Sequence, residues 1–414
     1  MSSVLHHNST PLYEGKIATR AHHHSLSHFA SRGLGKSRSL PFSFARKSSK
    51  SGAKMEMVLP AIERRRTTRE TAMTQRAPGN RERQLTNIHG VSVISSAAAT
   101  GSRVIPSEDV DRAFGMPVGK LRSRAGIESL AYVAEDENEL TLAAKAAQEA
   151  LRAASCGPQQ VDWIVATSET HHDYPSLSAQ LHSRLLVREN CGALDTGGAC
   201  LGLLNALAVA QSLIGSGQAQ TVAVVTADVH SRTLTPGRVA GEFGGLFGDG
   251  ASAFILRSAA HNNSSKAYRL GEFLFGCAGQ YAAAIQVSDT KDGALEVQFD
   301  GEALSRAAIT RMEKVLTSVE LRSGIPRSSV GGFATHQPNP RLVALLAKQC
   351  GVSPNTFPPV ARVSGNLGSS TCGAALHEAL RIAEKQSRDN LRPIFLASLG
   401  PGLLFGGGWL TPRD

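Results

Sequence analysis

Beyond residue 88 the chain states one succession of elements twice, and this repeat constrains the fold more than any other feature. In the first pass, residues 161–167 read as a strand and 176–187 carry leucines at helical spacing. The loop Asp195-Thr-Gly-Gly-Ala-Cys200 then opens an apolar helix from Leu201 to about Ile214, and 221–226 and 251–256 read as paired strands. In the second pass, 332–335 is a strand and 341–350 an amphipathic helix. The loop Ser364-Gly-Asn-Leu-Gly-Ser-Ser370 opens an apolar helix over 372–383, followed by strands at 393–398 and 403–410. Strands alternating with helices predict an α/β protein, a mixed and mostly parallel sheet covered on both sides. Two such halves, 88–258 and 259–414, would stack in α-β-α-β-α layers, each glycine-rich loop placing residues at the join. The helix beginning at Leu201 is apolar nearly all round and should be buried on most sides.

Charge and cysteine usage remove several function classes. The net charge of +10 suggests nucleic-acid binding until it is located: residues 1–88 hold 16 Lys/Arg and 5 Glu, leaving 28 basic against 29 acidic residues in the rest. The basic charge is a tail, and the near-neutral body gives no support to a nucleic-acid-binding domain. Residues 1–87 are expected to be disordered, since 1–54, rich in Ser, His, Lys and Arg, cannot bury enough apolar surface to offset ordering. An organelle transit peptide, an upstream start codon and a functional basic arm all fit this composition. Ordered structure is expected from Ile88, with a first strand at 89–94. Six cysteines without a CxxC pair imply reduced thiols and a cytoplasmic location, or an organelle if the tail is a transit peptide. No metal is expected: no two cysteines lie at ligand spacing, and His171, His172 and Asp173 read as polar surface. No stretch is long and apolar enough to span a membrane.

Cys200 immediately precedes a buried helix, where the positive end of the helix dipole should favour the thiolate. A thiolate can accept an acyl group and later release it. Five motifs then occur in order: Gly197-Gly-Ala-Cys200, Phe247-Gly-Asp-Gly-Ala251, His336-Gln-Pro-Asn339, Gly365-Asn366 and Gly400-Pro-Gly402. His336 follows Cys200 by 136 residues and Asn366 follows His336 by 30. Over residues 88–414 this pattern resembles the β-ketoacyl-acyl carrier protein synthase III family of the thiolase superfamily. The resemblance implies a thiolase-like fold and an acyltransferase. Cys200 would take an acyl group from a coenzyme A or phosphopantetheine thioester, with no cofactor. The acyl group would then be condensed, by loss of CO2 from malonyl-acyl carrier protein, to a 3-oxoacyl thioester in fatty-acid or secondary-metabolite biosynthesis. Neutral His336 and the Asn366 amide would stabilise the enolate oxyanion without repelling the malonyl carboxylate.

Other positions are assigned by the same resemblance. Gly400 and Gly402 form the turn that supplies an oxyanion donor, although Pro401, which has no N–H, falls where the family has a donor glycine. Arg124 stands near the pantetheine-nucleotide entrance, where Lys120 replaces an adenine-stacking tryptophan. Asn339 and Arg341 sit at the tunnel mouth, and Arg341 could meet an acidic carrier protein or a phosphate. Tyr174 occupies the place of a phenylalanine that crosses a homodimer to line the partner's acyl pocket. Phe247 belongs to the substrate-binding set, and Asp249 reads as structural. The rival expectations are a type III polyketide-like or non-decarboxylative acyl-transferring relative, and a non-catalytic partner subunit of the same fold.

Overall fold

The computed structural model describes residues 90–258, 267–290, 295–299 and 301–413. The basic tail, and the expected boundary between halves at 258/259, fall outside or at the edge of the described residues. The first half contains β1 (Val91–Thr100), β2 (Arg103–Pro106), α1 (Ser107–Ala113), β3 (Ser129–Tyr132), α2 (Glu139–Ala153), β4 (Trp163–Thr167) and α3 (Leu177–Leu185). It continues with β5 (Gly192–Thr196), α4 (Gly202–Gly215), β6 (Thr221–Val229), the single turn α5 (Gly241–Gly244) and β7 (Asp249–Ser258). The second half runs through β8 (Tyr268–Leu270), β9 (Leu274–Cys277), β10 (Ile285–Asp289), β11 (Leu295–Phe299), α6 (Gly301–Ser323) and β12 (Gly332–Thr335). It ends with α7 (Pro340–Cys350), α8 (Val360–Ser364), α9 (Ser370–Glu384), β13 (Ile394–Gly400) and β14 (Leu404–Pro412).

The repeat is real at the level of strand pairing. β4 and β6 are parallel, β6 and β7 antiparallel, β7 and β1 antiparallel. β12 and β13, β13 and β14, β14 and β8 follow the same three steps. Pairing of Ser92 with Arg269 and Val93 with Tyr268 joins the halves into a ten-stranded sheet, in the order β12-β13-β14-β8-β1-β7-β6-β4-β5 with β9 on β14. The sheet is mixed, as expected, but not mostly parallel: parallel steps occur only at β4–β5, β4–β6 and β12–β13. The reason lies in the connections. Only three residues separate β13 from β14, too few for a crossover, so those strands must run antiparallel.

Helices fall into three layers. α4 and α9 share one core with strands of both halves, in which Leu203, Leu204, Leu207, Cys372, Ala375 and Leu376 are fully buried. The near-uniform apolarity of α4 is therefore explained, since it has sheet on both sides. Each fully buried leucine contributes about 1.5–3 kcal/mol. α2 and α3 cover the first half's outer face beside Ile164, Val225 and Ile255. α6 and α7 cover the second half's outer face beside Phe333 and Phe395. α2 presents Ala143, Ala146, Ala147 and Ala150 to the sheet and starts with a reciprocal Asn138–Thr141 cap. All six cysteines lie among the described residues and none is in a disulfide. Among the described residues no helix is long and apolar enough to cross a membrane. The architecture brings the carboxyl ends of β4, β6, β12 and β13 to the starts of α4 and α9, the place where α/β sheets hold ligands.

Candidate active site

Cys200 sits in a sharp turn between β5 and α4. Gly198 has φ +118° and Ala199 φ +48°, so the chain passes through the left-handed region just before the cysteine. For Ala199, with a Cβ, this costs about 1–3 kcal/mol, which the flanking contacts must offset. Asn205 on α4 donates to the Gly197 carbonyl at 2.8 Å, and Ser398 on β13 donates to the Cys200 carbonyl at 2.6 Å. The turn is thus held by both halves.

His336 continues the backbone path of β12, its N–H donating to the Ala397 carbonyl at 3.0 Å. It is buried, and its Nδ1 has no partner among the described residues. Burial pushes its pKa down to about 4, with His230 adding to the effect and Glu169 opposing it, so the imidazole is neutral at working pH. Asn366 is pinned beside Phe247 by backbone bonds, Asn366 N–H to Leu246 O at 2.8 Å and Gly248 N–H to Asn366 O at 2.9 Å. Its side-chain Oδ1 accepts from Gly368 N at 3.1 Å and Thr371 Oγ1 at 3.0 Å. Both contacts fall on oxygen, leaving the Nδ2 donor for the cavity. Cys200, His336 and Asn366 together line one cavity of about 190 Å³. Its other walls are largely apolar and include Phe243, Phe247, Ile309, Met312, Leu342 and Leu346.

The remaining expected positions divide. Phe247 and Asn339 line the cavity, but the Asn339 carboxamide also caps α7, accepting from Leu342 N at 3.0 Å. Gly400 and Pro401 line it too. Gly402, at φ +77°, makes the turn, and its carbonyl accepts from the Cys277 thiol. Arg124 and Arg341 are exposed and line no part of it; Arg341 instead donates to the Ser123 carbonyl at 2.6 Å. Lys120 pairs with Glu242 at 2.5 Å. Tyr174 is 96% exposed and does not line this cavity. Asp249 is buried and structural in its bonding, accepting from Val133 N, Ser231 N and Ser231 Oγ. His171 contacts the Pro175 carbonyl and Gln180.

The helix N-terminus is opposed at Cys200: burial, then the Glu169 carboxylate, push the thiol well above its ordinary value near 9. Sequence reasoning missed the group responsible. Glu169 follows β4, and Asp228 and His230 lie at the end of the neighbouring β6. Glu169 Oε2 is 3.6 Å from His230 Nε2. Burial works to raise the Glu169 pKa, but the His230 hydrogen bond and charge outweigh it and hold the carboxyl below the usual range. Burial likewise works to lower His230, and Glu169 more than reverses it. Asp228 accepts from Glu169 N at 2.6 Å, Ser369 Oγ at 2.6 Å and Ser370 N at 3.1 Å. Burial and the nearby Glu169 charge push Asp228 up to about 6.

Comparison with known proteins identifies the family. Two family models match, 3-oxoacyl-[acyl-carrier-protein] synthase III over residues 194–279 and its C-terminal counterpart over 321–411. The β-ketoacyl-[acyl-carrier-protein] synthase III of Haemophilus ducreyi is 30% identical over 325 residues, covering 76% of this chain and 98% of the relative. The 3-oxoacyl-[acyl-carrier-protein] synthase III structures from Aquifex aeolicus and Pseudomonas aeruginosa are each 25% identical and cover 78% of this chain and 99% of theirs, with TM-scores of 0.68 and 0.69. The match spans nearly the full length of these relatives, so this chain belongs to the β-ketoacyl-acyl carrier protein synthase III family of the thiolase superfamily and is an acyl-condensing acyltransferase.

Proposed function

We propose that Cys200 is the acyl-accepting nucleophile and that His336 and Asn366 stabilise the enolate of the second substrate. The observation that carries this reading is their convergence on a single, mostly apolar cavity. The first substrate is an acyl thioester of coenzyme A or phosphopantetheine, and the reaction calls on no cofactor. A cavity walled by Ile309, Met312, Leu342 and Leu346 fits an aliphatic acyl chain better than a polar one. In the second half-reaction malonyl-acyl carrier protein loses CO2 and its α-carbon attacks the Cys200 thioester. The developing oxyanion is met by the neutral His336 ring and Asn366 Nδ2 in a water-poor site. The enzyme would act as a cytoplasmic homodimer, in fatty-acid or secondary-metabolite biosynthesis. The exposure of Tyr174 supports a dimer, because a ring 96% exposed in its own chain is available to a second copy.

A second reading, acyl transfer without decarboxylation, is favoured by the Glu169 carboxylate beside Cys200, whose charge works against a malonyl carboxylate. The test is intact-protein mass after incubation with acyl-coenzyme A and acyl-carrier protein panels, for wild type and Cys200→Ala. A gain of one acyl group, absent from the variant, supports the nucleophile and identifies the starter. Adding malonyl-acyl carrier protein to the loaded enzyme then separates the readings: a 3-oxoacyl product supports condensation by decarboxylation, and simple acyl transfer supports the rival.

A further inference from the structure

We infer that Glu169 is a further catalytic residue, the base that takes the Cys200 proton during acyl loading and returns it to the departing thiol. The inference rests on Cys200 being the nucleophile. The Cys200 thiol and the Glu169 carboxylate lie within electrostatic reach of one another, each acting on the other's protonation. Glu169 Oε1 is buried with no hydrogen-bond partner among the described residues, while Oε2 is engaged by His230. A buried carboxylate oxygen left unpaired is expensive, and here it is the one free to accept a proton. The backbone and surroundings of Glu169 are well defined: its N–H is fixed on Asp228 at 2.6 Å, and Gly368 packs so closely that a Cβ there would lie 3.1 Å from Glu169 Cδ and 2.5 Å from His230 Cε1.

The chemistry needs such a base. Burial and the Glu169 charge push the Cys200 thiol above its ordinary range, so attack on a thioester carbonyl calls for a proton acceptor at the sulfur. His336 is buried and a weak base at its depressed pKa. In the proposed step the S–H bond breaks and the proton moves to Glu169 Oε1 as Sγ bonds the carbonyl carbon. The tetrahedral species then collapses, the carbon–sulfur bond to the pantetheine breaks, and the leaving sulfur takes the proton back. The sum is one thiol exchanged for another, and Glu169 ends as the carboxylate it began as. The groups that face Glu169 are Cys200 at the start of α4, Asp228 and His230 at the end of β6, and His336 after β12; Glu139 of α2 reaches it only through Thr170.

The role of a base and that of a bystander charge predict opposite signs. A carboxylate that only repels the thiolate would, on Glu169→Gln, leave Cys200 more acidic and faster to acylate. A base predicts a fall of about 100-fold or more near pH 7. The experiment is rapid-quench intact-mass kinetics of Cys200 acylation by one acyl-coenzyme A from pH 5.5 to 9, on wild type, Glu169→Gln and Cys200→Ala full chains. Wild type should be flat from about pH 5.5 to 8, and Glu169→Gln slow and rising roughly tenfold per pH unit. Equal or faster loading of Glu169→Gln overturns the inference, and so does a wild-type rate that climbs tenfold per unit over the same span, a result that needs no variant to fold. If no thioester of the acyl-coenzyme A and acyl-carrier protein panels acylates wild type, the nucleophile assignment falls and takes this inference with it.

Discussion

His336 makes the protein acid-sensitive in a way that can be isolated. Its native pKa is held near 4 by burial, whereas in the unfolded chain it returns to about 6.5. The native value is the lower one, so the unfolded chain binds the extra proton. The stability this residue contributes is complete above pH 6.5 and is lost progressively as pH falls toward 4. At 1.36 kcal/mol per unit, moving from pH 7.5 to 4.5 should cost about 2.5 kcal/mol through this one ring. The ring is buried, 7% exposed, so solvent screening dilutes the effect little. His336→Gln fills a similar volume and cannot titrate. Urea unfolding of both proteins at pH 7.5 and 4.5 should show wild type losing about 2.5 kcal/mol more than the variant, or roughly 4 °C more in Tm. Losses from the carboxylates and from His230 are common to both and cancel. Equal losses within about 0.5 kcal/mol would mean that the native ring titrates near the ordinary 6.5, and that burial does not hold it neutral below that pH.

Three further outcomes follow from named contacts. Gly202→Ala gains about 1 kcal/mol of helix propensity, but its Cβ would lie 2.3 Å from Thr167 Oγ1 and 3.2 Å from that side chain's Cβ and Cγ2. Rotating Thr167 only exchanges one clashing atom for another. Urea unfolding should give a net loss of about 1–3 kcal/mol, and iodoacetamide labelling of Cys200 followed by mass should change rate as the α4 start moves. Asn339→Ala should cost about 1 kcal/mol through the lost α7 cap, whereas Asn339→Asp retains it. Equal KM values for the two variants would show that Asn339 acts as a cap and not as a substrate ligand. Leu207→Ala, fully buried between sheet layers, should cost about 2–5 kcal/mol, and Leu207→Met under about 1.5, by the same unfolding measurement.

The repeat made the layers legible because strand and helix periodicities survive in each half. It did not reveal strand direction, because that depends on whether a connection is long enough to cross over. Within the site, Cys200, His336 and Asn366 were visible because they carry motifs; Glu169 and His230 carry none. The repeat nonetheless held the signal. β4 and β12 are equivalent strands that both end in threonine, Thr167 and Thr335, each paired in parallel with its neighbour. Two residues beyond each threonine stand Glu169 and Gln337, and His336 follows Thr335 directly. The strand end that presents His336 to the join therefore has a counterpart in the first half, and a polar residue just after Thr167 comes within electrostatic reach of Cys200 and His336. β6 repeats the logic against β13, placing Asp228 and His230 beside the loop before α9. What no sequence pattern could supply is the electrostatic balance. A helix N-terminus favours a thiolate by a few tenths to about 2 kcal/mol, while burial beside a carboxylate works against it more strongly. The sign of the Cys200 shift is set by Glu169 being held charged by His230, and that pairing exists only once two strand ends 61 residues apart are brought side by side.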